Sequence, residues 1–193
     1  MRLVLLVLVG LVFPAFSVDV ALAARGSAIT GTISGAKDPV IIFLDGLRTV
    51  SSATHKHQIA QKNTQFSIKL LVIGTGDSVA FPNNDHVSHN VFSLSRTKKF
   101  DFGIYPPGSD RTVQFQEPGL VDVFCNIHQE MHATIAVVPS DYYAASDKQG
   151  AFRIADVPAG KYTAVVWRKG KEVRRQAVVV VAGTDAKLEL ELK

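Results

Sequence analysis

A single cysteine stands in a chain of 193 residues, and the groups around it are those that bind soft metal ions. The stretch Val123-Phe124-Cys125-Asn126-Ile127-His128-Gln129-Glu130-Met131 puts a thiol, an imidazole and a thioether within one short loop. Upstream, Asn83-Asn84-Asp85-His86-Val87-Ser88-His89-Asn90-Val91-Phe92 carries another histidine at the start of a strand. One thiolate, two imidazoles and a thioether form the donor set that holds a single copper ion in a trigonal His₂Cys plane with a weak axial Met. On this reading the ligands are His89, Cys125, His128 and Met131.

Rival ligands sit close by. His86 precedes His89 in the same loop and is the alternative ligand, although the Asn-Val-Phe strand that follows favours His89. Met131 competes with neighbouring His132 and with plain core packing. Zinc would ask for a fourth strong ligand in a closed tetrahedron, and the chain has no second cysteine. Asp85, Glu130 and the further histidines keep a mixed zinc site as the alternative, at the cost of leaving the thiol and Met131 without a joint role. His55 and His57 alternate onto one face of an extended segment, where a surface location outweighs a paired metal role.

The leader gives that cysteine its compartment. Arg2 is followed by an apolar run from Leu3 to Val18 that ends in Ala21-Leu22-Ala23, the pattern of a signal peptide over residues 1–23 with cleavage before Ala24. A retained anchor is the competing reading, but Pro14 interrupts the run and Asp19 closes it. No later run is long enough to span a bilayer, so the expectation is a periplasmic chain with no membrane span after cleavage. An oxidising compartment pairs thiols, so an unpaired one needs a reason, and a metal supplies it.

The net charge of +4 suits docking to an acidic partner or an anionic surface. Nucleic acid is excluded as a partner by the lack of a basic helix, zinc-finger spacing or aromatic ribonucleoprotein motif. The basic group Arg168-Lys169-Gly170-Lys171 with Arg174-Arg175 reads as a solvated hairpin. Enzyme chemistry has no foothold either, since no nucleophile-base pair, carboxylate pair or open hydrolytic site stands out.

The elements that must position the donors are strands. Residues 28–33, 40–44, 66–73, 78–81, 90–94, 112–115, 120–125 and 133–138 are short, β-branched or aromatic, and separated by turn residues. No segment has a convincing helical pattern, and strands at this spacing predict an antiparallel sandwich. After Pro139 the pattern changes to a turn at Ser146–Gly150, a short strand, the Pro158–Gly160 turn and long strands. The chain ends with Leu188, Leu190 and Leu192 on one face and Lys187, Glu189 and Glu191 on the other.

Two resemblances follow from these motifs. "N-x-D-x-x-x-H-N-V" with "F-C-N-I-H-x-x-M" resembles the cupredoxin family of plastocyanin, pseudoazurin and amicyanin, and the spacing Cys-x-x-His-x-x-Met is similar to the short amicyanin loop. "D-x-x-G-x-F-x-I-x-x-V-P-x-G-x-Y" resembles the carboxypeptidase-regulatory-like, or transthyretin-like, sandwich, whose usual opening strand is matched by Gly31-Thr32-Ile33-Ser34-Gly35. The overall layout is similar to cupredoxin-like proteins labelled methylamine utilisation proteins. The resemblance implies an all-β fold, a Greek-key cupredoxin sandwich plus a smaller second sandwich. It implies that Asn90 ties the two ligand loops together, and that the chain carries single electrons to or from a redox protein such as a cytochrome or dehydrogenase; the alternatives are a copper chaperone, store or sensor without redox turnover, and a structural exported sandwich that binds a partner. Many cupredoxins have Pro between Cys and His, where this chain has Asn126-Ile127. The expected division is 51–139 for the copper domain and 28–50 with 140–193 for a discontinuous second domain, the alternative being 28–139 followed by 140–193.

Overall fold

The computed structural model describes residues 26–36, 38–45 and 54–192; the leader assigned to residues 1–23 lies outside them. Among the described residues there is no helix, and the chain is all-β as the patterning predicts. The first two strands are β1 (Ser27–Ser34) and β2 (Ile41–Asp45). Ten follow in the middle of the chain: β3 (Lys56–Gln58), β4 (Gln61–Lys62), β5 (Gln65–Phe66), β6 (Leu70–Gly74), β7 (Ser78–Ala80), β8 (His89–Ser93), β9 (Phe100–Tyr105), β10 (Thr112–Gln114), β11 (Gly119–Phe124) and β12 (His132–Val138). The last five are β13 (Tyr143–Ala145), β14 (Ala151–Val157), β15 (Gly160–Arg168), β16 (Lys171–Val180) and β17 (Ala186–Glu191).

Four of the sheets stack in layers with three apolar cores between them. The outermost sheet, ordered β14-β1-β17, faces the sheet β13-β2-β15-β16 across a core that includes Ile29, Ile42, Leu44, Val166, Leu188 and Leu190. The sheet β6-β12-β11-β8-β9 faces β10-β7-β3 across a second core that includes Phe81, Val91, Phe115, Val123, Met131 and Ile135. Between the two sandwiches lies a third core of Ile41, Phe43, Ala136, Val138 and Val165, with Trp167, Leu70, Val72 and Leu120 packed against it. Strands next to this third core are buried on both faces. That explains why residues 41–44, 164–167 and 135–138 read as unbroken apolar runs. The outer strand β17 has one wet face, and its leucines alternate with charges.

The N-terminal strands join the C-terminal ones. β1 lies antiparallel to β14 and parallel to β17, and β2 lies antiparallel to β13 and β15, with Phe43 opposite Tyr143 and Val165. Gly150 is required where β14 meets β1: its φ is +86°, and a Cβ there would sit 2.3 Å from the Ile33 carbonyl oxygen. The basic hairpin is a two-residue turn, with Lys169 and Gly170 at φ of 51° and 73° and Arg168 paired to Lys171, the geometry preferred by tight hairpins.

The segment 66–73, read from sequence as one strand, is two. Phe66 ends the β4–β5 hairpin with its ring in the second core, and Leu70 begins a strand parallel to β12. The break at Ser67 is held by its N–H to the Ala60 carbonyl and its Oγ on the Ala60 N–H.

Phe43 and Trp167 meet edge to face in the third core, with ring centroids 5.1 Å apart. Phe43→Ala removes a ring that is 3% exposed and is expected to cost about 3–5 kcal/mol of unfolding free energy. Denaturant titration followed by the fluorescence of Trp167, the chain's one tryptophan, measures it. A loss below about 1 kcal/mol, the scale of a surface change, would mean that the sandwiches do not pack through this ring.

Candidate metal centre

Strands β8 and β11 are neighbours in one sheet, with Phe92 opposite Phe124, and the donors lie at their ends. His89 opens β8, opposite Tyr105 of β9. Cys125 follows the last residue of β11, and its loop closes on itself: the Cys125 N–H donates to the Met131 carbonyl at 3.3 Å and the Met131 N–H to the His128 carbonyl at 3.0 Å. The Asn126 N–H donates to Asn90 Oδ1 at 3.2 Å. Asn90 is itself oriented by Nδ2 donation to Asp101 Oδ1 at 2.7 Å. One polar side chain therefore links the strand that carries His89 to the loop that carries Cys125 and His128.

His89, Cys125 and His128 bring one ligand atom each to within 4.8 Å of one another, the one such group among the described residues. Cys125 Sγ lies 4.0 Å from His89 Nδ1 and 3.8 Å from His128 Nδ1, and the two nitrogens are 3.1 Å apart. A triangle with these sides has its centre about 2.1 Å from each corner, within the roughly 2.0–2.3 Å span of transition-metal bonds to imidazole and thiolate. These spacings would let Cys125, His89 and His128 hold one ion between them. His89 is fully buried, Cys125 is 4% exposed and His128 is half-buried.

The other residues singled out from sequence are placed as follows. Met131 is fully buried in the core that contains Cys125. His86 is exposed and outside the three-donor group. Its backbone N–H, not its ring, turns inward, to Asp85 Oδ1 at 2.8 Å. Glu130 is exposed, and His132 points away to Asp122 at 3.2 Å. His55 and His57 pair with buried Asp77, His57 Nε2 at 2.9 Å. That carboxylate also accepts the N–H groups of Gly74 and His55, so it clamps β3 to the turn before β7.

Asp85 has a larger part than its sequence context suggested. Its side chain is 8% exposed and its Oδ2 lies 3.0 Å from His89 Nε2. The backbone N–H groups of Thr64 and His86, then the His89 ring, hold its carboxyl well below the usual range against the opposing effect of burial. The spacing Asp-x-x-x-His was the signal that could have found it. Behind it, Asn83 donates to the Val87 and Tyr105 carbonyls and accepts the Asp85 N–H. Tyr105, its phenol pushed up to about 12 mainly by burial, donates to the Phe81 carbonyl.

The carboxypeptidase regulatory-like domain family matches residues 131–193. No curated protein matches the sequence. Among solved structures the chain is similar to a purple cupredoxin from Nitrosopumilus maritimus, at 23% identity over 42% of this chain and 99% of that one, with a TM-score of 0.39. It is similar to a reduced mutant of amicyanin at 16% identity over 50% of this chain and 98% of that one, with a TM-score of 0.41. A copper-containing nitrite reductase from Thermus scotoductus SA-01 aligns at 21% identity over 48% of this chain and 24% of that one, with a TM-score of 0.41.

The geometry separates the two upstream histidines. His89→Ala is expected to weaken metal binding by more than about 100-fold, beyond the loss of an outer-sphere contact, while His86→Ala leaves it unchanged. Competition titrations against a chromophoric chelator read both; a larger loss for His86→Ala would reverse the assignment.

Proposed function

We propose that the chain is a type 1 copper protein that carries single electrons, with Cys125, His89 and His128 as the trigonal ligands and Met131 as the weak axial one. The observation that carries this reading is the triangle of Sγ and two Nδ1 atoms, whose size would suit one shared ion. Thiolate, two imidazoles and a buried thioether are the donors that copper accepts in both of its common oxidation states. When bound, the ion supplies a one-electron redox couple.

The residues around it hold that geometry. Asn90 keeps the two ligand loops at a fixed separation, and burial of His89, Cys125 and Met131 keeps water from adding further ligands. A framework that does not move when the charge changes is what an electron carrier needs. His128 is the ligand within reach of solvent, and Ile127 beside it is 48% exposed, so this loop is the proposed docking face for a cytochrome or dehydrogenase. The proposed organisation is a copper domain over residues 51–139 and a second sandwich from 28–50 with 140–193, exported to the periplasm by the leader. No hydrolytic or group-transfer step is assigned to the chain.

Adding Cu(II) to the purified protein is expected to give an intense visible thiolate-to-copper band that saturates at one ion per chain, and Cys125→Ser abolishes it. A colourless complex with the wild-type thiol intact would refute the reading. Ile127→Ser is expected to leave that band in place while slowing electron exchange with a redox protein by about tenfold, or 1.4 kcal/mol in the barrier. Stopped-flow mixing with a cytochrome measures the rate, and an unchanged rate would remove this loop as the docking face.

A further inference from the structure

Asp85 is no member of the donor set, yet its carboxylate is built into the site. Oδ2 accepts the Thr64 N–H at 2.7 Å and faces His89 Nε2 at 3.0 Å, while Oδ1 accepts the His86 N–H at 2.8 Å. Amide protons cannot be withdrawn, so the carboxylate is fixed as an acceptor from two directions. The neutral tautomer of His89 that satisfies it carries its proton on Nε2. Nδ1 is then left with a free lone pair facing Cys125 Sγ and His128 Nδ1.

The segment that delivers the Thr64 amide is held in a demanding conformation. Asn63 and Thr64 form the two-residue turn between β4 and β5 with φ of 53° and 54°. Glycine is the ordinary occupant of the second position, and a β-branched residue is disfavoured there. The hairpin is also stitched to the ligand loop by the Gln61 N–H to the Pro82 carbonyl and the Asn84 N–H to the Gln61 carbonyl. Strained backbone of this kind persists where the surrounding structure over-determines it, and here it aims an N–H at the one carboxylate behind the metal centre.

We propose that Asp85 is a positioning residue of the metal centre: through Nε2 it selects the His89 tautomer that ligates by Nδ1, and it places a negative charge one imidazole away from the ion. The proposal rests on the copper reading above. A carboxylate behind a ligating histidine fixes the ring and raises its basicity. Negative charge at that distance favours the more highly charged oxidation state, so Asp85 lowers the reduction potential of the centre. An amide at this position is neutral and has one acceptor oxygen in place of two, so Asp85→Asn cannot meet Thr64, His86 and His89 together.

Two measurements test this. In the metal-free wild-type protein, side-chain ¹⁵N NMR should find His89 protonated at Nε2; a neutral His89 ring with its proton on Nδ1 overturns the proposal without any variant or copper. In the copper-loaded protein, Asp85→Asn should keep the visible band, raise the reduction potential and weaken copper binding by about 10- to 100-fold. An unchanged potential overturns it. Should wild-type protein bind no copper, the copper reading falls, while the NMR result still decides the tautomer.

Discussion

The hydrogen bond from the Asn126 N–H to Asn90 Oδ1 is the tie on which the candidate centre depends. His89 and Asn90 begin one strand, Cys125 and Asn126 follow another, and these strands are neighbours in a sheet whose inner face is fully packed. Without that tie the seven residues between β11 and β12 would be held by their own turn and by the buried Cys125 and Met131 side chains, and nothing would fix the loop to the strand that carries His89. With it, two imidazoles and a sulfur stand at distances that one ion can bridge. The other contacts elaborate this arrangement: Asp101 orients Asn90, Asp85 orients His89, and the Met131 carbonyl holds the Cys125 N–H.

The second sandwich bears on the site through the sheet that carries it. Leu120, Ala136 and Val138 face the third core, while the neighbouring Val121, Ile135 and Val137 face the second. Strands β11 and β12 are thereby gripped on both sides over the half that lies away from the donors. Close-packed interiors transmit strain instead of absorbing it, so bracing that half stiffens the loop between the two strands. Phe43 and Trp167 sit at this junction, far in sequence from any ligand and joined to them only through packing.

Much of this was legible in the residues. Cys125, His128 and Met131 are close in sequence, so their spacing alone puts them in one loop, and the strand after His89 distinguished it from His86. The alternating leucines of β17 and the turn residues of the C-terminal part specify strands directly. What escaped is either locally irregular or non-local. β9 runs through Asp101-Phe102-Gly103-Ile104, where Gly103 at a φ of +65° and mixed exposure spoil the alternation. The runs at 41–44 and 133–138 were recognisable as strands, but an apolar run does not say what covers its second face. The parallel register of β1 on β17 is encoded by no local pattern; the expectation that 28–50 joins 140–193 came from a resemblance of both segments to one sandwich family. Asp85 was visible as a residue near the site, but its role depends on an amide from Thr64 that only the folded hairpin brings near.

The central claim is that one sulfur and two imidazole nitrogens share a single ion. X-ray absorption at the copper edge of the loaded protein tests it most directly. The account predicts one short sulfur scatterer and two imidazoles in the first shell, with little change in bond lengths on reduction. A first shell of nitrogen and oxygen alone, with no sulfur, would contradict it.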